Sequence, residues 1–318
     1  HSLVKAGHIE LLGILRVLEA SLFGPRTRFV IHELTGDILS IQGRWDEAEE
    51  QYDHALPIAV KHKLTTPLAR IYSSRADLAV KKGEMDNALS LHKKALEMQI
   101  KLRDAQGAAR SYNNMGYIFR RQRDNKRAIE VYGNVEELLE SEDSPDLTEA
   151  RIRLASAFLE MGEMDRARDH AMKAHDETAE NNQEKLHARS RAVLGRYYAR
   201  IKDNDLAMHH YTGALEILSD QSDPRSAVEV EILLGQVLSD AGSTEEAAQH
   251  YLDALSIAEA NDFRMMQGEI LSRLGEVESN RSQRMDYLQR SLVVFRELGA
   301  VDRMREVQNS VHRVVMGH

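Results

Sequence analysis

The chain has 318 residues, is 42% hydrophobic and 29% charged, carries a formal net charge of −9 and contains no cysteine. That length exceeds one compact core and suits an extended stack. The missing cysteines exclude a disulfide framework and a thiolate metal site, and the acidic balance runs against adhesion to nucleic acid or to an anionic membrane.

No apolar run approaches the roughly 18 residues of a membrane span, and the opening HSLVKAGHIE lacks the apolar core of a signal peptide. A cytoplasmic location is therefore expected. Residues 1–28 read as a turn at Gly7 followed by a lone helix, the second half of a repeat whose first helix would lie upstream. With His1 in place of Met, the sequence is expected to be a piece of a larger protein.

From residue 29 a column of small residues sets a period. Gly36, Ala76, Gly116, Ala155, Gly195, Gly235 and Gly275 follow one another at 40, 40, 39, 40, 40 and 40 residues. Twelve residues after the first six stand Ala48, Ala88, Ala128, Ala167, Ala207 and Ala247. Four further on come Tyr52, His92, Tyr132, Ala171, Tyr211 and Tyr251, and three beyond those Ala55, Ala95, Val135, Ala174, Ala214 and Ala254. A fixed period of this size marks a repeat array, which builds a long binding surface and seldom a catalytic pocket. Seven repeats are expected at 29–68, 69–108, 109–147, 148–187, 188–227, 228–267 and 268–298. A capping helix follows over 299–318, with Val301, Met304, Val307, Val311 and Val314 on one face.

Each period reads as two helices, A and B. Thr66-Pro67, Ser144-Pro145 and Asp223-Pro224 read as an N-cap followed by proline at the first helical position. In the second repeat helix A runs to about Lys82, Gly83 supplies the turn, as Gly43, Gly162 and Gly242 do elsewhere, and helix B runs from Met85 to Arg103. Asp46, Asp86, Asp124, Asp165 and Asp205 stand at the starts of B helices, where the dipole favours an anion. Glycine inside a helix costs roughly 1 kcal/mol against alanine, so the small column must serve close approach of B to A. Pro57 predicts a kink in the first B helix. In the seventh repeat Leu288, Ser291 and Leu292 match Tyr251, Ala254 and Leu255, which places the turn about three residues early.

These residues resemble the tetratricopeptide repeat, whose pattern sets a small residue, Gly, Ala, an aromatic and Ala along each helix pair. Gly36, Gly43, Ala48, Tyr52 and Ala55 match throughout, as do Gly235, Gly242, Ala247, Tyr251 and Ala254, while Arg123, Val135 and Ala171 depart. The resemblance covers about residues 29–298. The long period is similar to arrays in mitotic spindle-orientation adaptors, in the pheromone-responsive Rap regulators of bacilli and in the sensor regions of STAND-class signal-transduction ATPases. Asn113-Asn114-Met115-Gly116 is like the adaptors' Asn-Leu-Gly-Asn signature, in one repeat. The half-repeat start looks more like a sensor region behind an ATPase. The resemblance implies an all-α right-handed solenoid of seven helix pairs with an extra helix at each end, and a non-catalytic protein- or peptide-binding role.

In that family one face of each A helix lines the concave groove. Carried onto this chain, repeats 2 to 5 place there Arg70, Ser73, Asp77 and Lys81; Arg110, Asn113, Tyr117, Arg120 and Arg121; Glu149, Ile152, Ser156 and Glu160; and Arg189, Ala192, Arg196 and Arg200. That is eight positive and three negative residues, whereas repeats 1, 6 and 7 give six negatives (Glu33, Asp37, Glu229, Asp240, Glu269, Glu276) and no positive. A basic stretch in an acidic protein points to an acidic or carboxylate-bearing peptide, held by paired arginine hydrogen bonds. Asn113 would meet the peptide backbone and Tyr117 would add stacking area. The alternative is that the arginines pair with acids of neighbouring helices and only solvate this face. The family's clamp for chaperone tails is not reproduced, because Glu33 and Asp37 stand where it needs Lys and Asn.

No phosphate-binding loop, zinc-protease or nucleophile-elbow motif occurs, so neither a cofactor nor enzymatic activity is expected. His170 and His175 do not share a helical face, His209 and His210 point apart, His32 and His92 fall on core positions, and no spacing suits zinc. Met265-Met266 reads as core filler and Trp45 as packed in the turn after Gly43. Three roles stay open: the sensor module of a larger regulator, a stand-alone adaptor joining two proteins, and a nucleic-acid-binding solenoid using the arginine stripe.

Overall fold

The computed structural model describes residues 11, 12, 14, 15, 24–140, 144–181, 183–220 and 223–316. Among them the long elements are fifteen helices and there is no strand. They form two compact units, His1–Ala150 and Arg151–His318. The first holds α1 (Pro25–Ile41), α2 (Trp45–Lys61), α3 (Thr65–Lys82), α4 (Met85–Leu102), α5 (Ala105–Arg121), α6 (Asn125–Leu139) and the opening turns of α7 (Pro145–Met161). The second holds the rest of α7, then α8 (Met164–Glu180), α9 (Glu184–Arg200), α10 (Asn204–Asp220), α11 (Pro224–Asp240), α12 (Thr244–Ala260), α13 (Arg264–Val277), α14 (Arg281–Glu297) and α15 (Val301–Met316). The predicted turn at Gly7, most of the helix after it and the acidic residues Glu142 and Asp143 lie outside the described residues.

The column of small residues is explained by what faces it. A Cβ added to Gly36, Gly116, Gly195 or Gly235 would lie 2.4, 2.3, 2.5 or 2.6 Å from Cε1 of Tyr52, Tyr132, Tyr211 or Tyr251. The aromatic ring of helix B thus fills the hole that glycine leaves in helix A, and all four rings are fully buried. Where the B-helix residue is His92 or Ala171, the column holds Ala76 or Ala155. In the last pair a Cβ on Gly275 would meet Leu288 Cδ2 at 2.6 Å. Helix α13 has 14 residues against 17 in α11, so the early turn inferred from sequence is present.

Turns between A and B use one left-handed residue in the first six pairs, whereas the seventh passes through extended Glu278 and Asn280. Gly43, Gly83, Gly162 and Gly242 have φ of 78, 82, 78 and 88°, a region glycine enters at no steric cost. In the third and fifth pairs Arg123 and Lys202 take the same conformation at 61 and 63°. Asp223 caps α11 by accepting from Ser226 N at 3.2 Å, as its place before Pro224 predicts. The start of α3 differs: its N-cap is Leu64, without a side-chain cap, and Thr66-Pro67 lies inside the first turn. Proline is tolerated there because the first N–H groups of a helix have no intrahelical acceptor. Helix α2 stays continuous through Pro57; proline forgoes one backbone bond, and the buried Tyr52, Ala55 and Ala59 hold the helix against its neighbours.

Each unit holds its own succession of buried clusters. Leu12, Leu15, Phe29, Ile31, Tyr52 and Ile71 share one cluster in the first. In the second, Tyr211, Val228, Leu234, Tyr251, Ile270 and Leu274 share another. Helix α15 packs Val307 and Val314 onto Leu288 and Phe295 of α14, the covering role its amphipathic pattern predicts. Trp45 opens α2 and is 41% exposed, so it is a first-turn surface residue and not the packed turn residue expected. Among the described residues no helix is long and apolar enough to cross a membrane.

Candidate binding groove

In the first unit the predicted stripe is engaged across repeats. Arg70 meets the buried Glu33 with two N–H groups, Nε to Oε1 at 2.9 Å and Nη2 to Oε2, and its guanidinium lies 5.9 Å from the Phe29 ring centre. Burial pushes the Glu33 carboxyl above its ordinary value even beside this arginine. Lys81 donates to Ser40 Oγ at 2.8 Å, and Asn114 to Asp77 at 2.9 Å. Each of these bonds joins an A helix to its counterpart one period earlier. Arg110 reaches forward to Asp146 at 3.6 Å.

Asn113, assigned from sequence to a peptide backbone, is only 4% exposed and donates its Nδ2 to the Asp146 carbonyl at 2.9 Å. Ser73 faces helix B and accepts from Gln99 at 3.4 Å. Tyr117 and Arg121 are exposed, and Arg120 is half-buried. For Arg70 and Arg110 the pairing with neighbouring acids therefore holds, and the first unit spends much of its stripe on internal bonds.

The second unit has an open groove of about 590 Å³, lined almost wholly by A helices. Helix α7 contributes Ile152 and Ser156, α9 contributes Arg189, Ala192 and Arg196, α11 contributes Arg225, Glu229 and Ile232, and α13 contributes Met265, Glu269 and Arg273. Arg189 and Arg196 were read from sequence as groove residues, and the structure brings them together; Arg200 is exposed at the end of α9 and does not line it. Arg196 lies 3.9 Å from Glu160 and Arg225 3.5 Å from Glu229. Arg273 lies 3.3 Å from Glu269 and also meets Gln236.

Arg225 and Arg273 escaped the sequence reading because they fall off the family's groove positions. The available signal was spacing: each stands four residues from a groove glutamate, Glu229 or Glu269, on the same helical face. Met265, read as filler, is 48% exposed in this groove, while Met266 packs partly against the core.

Histidines gather where sequence offered no pattern. His175 of α8 stacks on His187 of α9 with ring centres 4.8 Å apart, and His210 of α10 stacks on Tyr198 at 5.3 Å and meets His175 edge-on at 5.9 Å. Burial, with the Arg191 cation, pushes all three down, His210 to about 4. Glu231, His250 and Asp253 also come within reach of one another. There Glu231 Oε2 and His250 Nδ1 lie 2.7 Å apart, and the carboxylate raises the His250 pKa. Sequence hid this trio because Glu231 sits on the partner helix.

Antiparallel helix pairs at a 40-residue period, locked by small-residue sockets, define an all-α helical repeat of the tetratricopeptide solenoid class. The family described as the MalT-like TPR region matches residues 25–267, and the chain belongs to it. No curated protein matches in sequence.

Among solved structures, BtubC from P. vanneervenii is similar at 23% identity and a TM-score of 0.58, over 70% of this chain and 92% of that one. A STAND protein with a tetratricopeptide repeat sensor, PH0952 from Pyrococcus horikoshii, is similar at 15% identity and a TM-score of 0.63, over 83% of this chain and 43% of that one. A Rap protein complexed with competence and sporulation factor is similar at 11% identity and a TM-score of 0.65, over 99% of this chain and 98% of that one. At these identities the likeness is one of fold.

Proposed function

We propose that this chain is a non-catalytic interaction module, the sensor or recognition region of a larger regulatory protein, and that it takes an acidic, extended protein segment along its A helices. The observation that carries this reading is the groove of the second unit, where Arg189, Arg196, Arg225 and Arg273 surround one open space. Arginine forks suit carboxylates, and a rigid helical wall leaves the ordering cost of binding with the partner. The fold shared with a STAND protein with a tetratricopeptide repeat sensor and with a Rap protein complexed with competence and sporulation factor supports the same role.

The test is fluorescence anisotropy with labelled peptides of matched length, rich in glutamate or in lysine. The glutamate peptide is expected to bind, and Arg189→Glu with Arg196→Glu to weaken it at least 10-fold while circular dichroism stays unchanged. Equal affinity for both peptides, or no effect of the double substitution, would refute the reading.

A further inference from the structure

The groove of the second unit is not uniformly basic. Between its arginines lie Ile152, Val193, Ile232 and Leu233, with Met265 exposed at the α13 side. Glu229 and Glu269 stand beside Arg225 and Arg273, so the wall alternates in sign. None of the lining residues is aromatic.

These features sort the possible occupants. A nucleic-acid strand wants stacking platforms and an unbroken positive track, and the two glutamates interrupt the track. A purely acidic segment would satisfy the arginines and leave the exposed Met265 and the partly exposed Leu233 facing water. A segment with an apolar side chain between separated carboxylates satisfies both. Arg225 is suited to it: it lines the groove, is 67% exposed along its side chain, and meets Glu229 through Nε at 3.5 Å.

We infer that the ligand of this groove is a short peptide segment whose apolar side chain seats on the Ile232, Leu233 and Met265 floor, with a carboxylate on either side, one at the α9 arginines and one at Arg225 and Arg273. The inference rests on the proposed peptide-binding reading and adds the anchor to it. From α9 to α13 is two helix spacings of about 8–10 Å each. An extended chain rises about 3.3 Å per residue, so the two carboxylates stand about five or six residues apart. A space of about 590 Å³ falls within the volume range of ligand-binding clefts. The flexible Met265 side chain lets the seat adapt to leucine, isoleucine or phenylalanine.

The experiment uses three fluorescein-labelled heptapeptides and a labelled single-stranded oligonucleotide, titrated with the full chain. The first peptide reads Glu-Asp-Ala-Leu-Ala-Asp-Glu, the second has Ser in place of Leu, and the third has Lys in place of each acid. The leucine peptide is expected to bind at least 10-fold tighter than the serine peptide. Met265→Glu is expected to erase most of that difference, and raised salt is expected to weaken both acidic peptides while preserving their ratio. Because Met265 is exposed, this variant tests the seat without opening the core. Equal binding of the leucine and serine peptides, lost together in the Arg189→Glu, Arg196→Glu chain, would overturn the anchor and leave the acidic groove standing. Binding of neither acidic peptide, or tighter binding of the oligonucleotide, would overturn both.

Discussion

Gly195→Ala is the sharpest probe of how the helix pairs lock. The new Cβ would sit 2.5, 2.6 and 2.9 Å from Cε1, Cδ1 and Cζ of Tyr211. Tyr211 is 1% exposed, so its ring has no free space to retreat into. Overpacking of this kind costs typically 1–3 kcal/mol, against about 1 kcal/mol that alanine gains over glycine in a helix interior. A net loss of up to about 2 kcal/mol is expected.

The same substitution made together with Tyr211→Ala meets an open space, and the pair then reproduces the natural combination Ala155 and Ala171. There the helix preference acts alone, and Gly195→Ala should stabilise by up to about 1 kcal/mol. Tyr211→Ala by itself should cost about 3–5 kcal/mol, as for other large buried side chains. The readout is the shift in urea midpoint by circular dichroism for the four chains of a double-mutant cycle. A coupling of about 1–3 kcal/mol, the overpacking cost alone, is expected. Stabilisation by Gly195→Ala in the unaltered chain, or a coupling below about 0.5 kcal/mol, would refute the socket argument.

Acid should loosen the second unit before it titrates most carboxylates. The folded-state pKa of His210 is lowered to about 4 by burial and by the Arg191, His175 and His209 charges facing it, so the unfolded chain takes up its proton first. Its contribution is intact above pH 6.5 and is lost as pH falls towards 4. Urea midpoints at pH 7.5 and 5.0 should differ less in His210→Phe than in the parent, and an unchanged difference would count against the argument. Arg70→Ala should cost about 1–3 kcal/mol by leaving the Glu33 carboxylate buried without its partner. That cost should shrink as pH falls, because burial already raises the Glu33 pKa and a protonated Glu33 needs no cation. The midpoint of the variant against the parent at pH 7 and 5 measures it, and Arg70→Ala with Glu33→Gln should recover most of the loss.

The helix pairs, the sockets and the shortened seventh pair were legible because each rests on local spacing. Gly36 to Tyr52 and Gly275 to Leu288 are contacts between adjacent helices, set by the 3.6-residue turn and one tight connection. The site was legible only in part. Whether Arg70 faces a ligand or Glu33 depends on how successive A helices register against each other, a distance of 37 residues along the chain. Asn113 was misjudged for the same reason, since the start of α7 covers it. Arg225 and Met265 lie beyond the family's groove positions, and what places them there is the space between α11 and α13. The histidine cluster draws His175, His187 and His210 from three helices, so linear spacing carries no trace of it. Leu64 displaced Thr66 as the cap of α3 because local capping preference is weaker than the packing that decides where the helix begins.

The left-handed residue between A and B has a consequence for how such chains change length. Each of the first six hairpins carries its own reversal in a single conformationally specified position, from Gly43 to Gly242, with Arg123 and Lys202 serving where glycine is absent. Nothing in one reversal depends on the next. Excision or tandem copying of a whole module inside a unit therefore joins ends that already fit, and it changes the reach of the recognition wall without redesigning any bend.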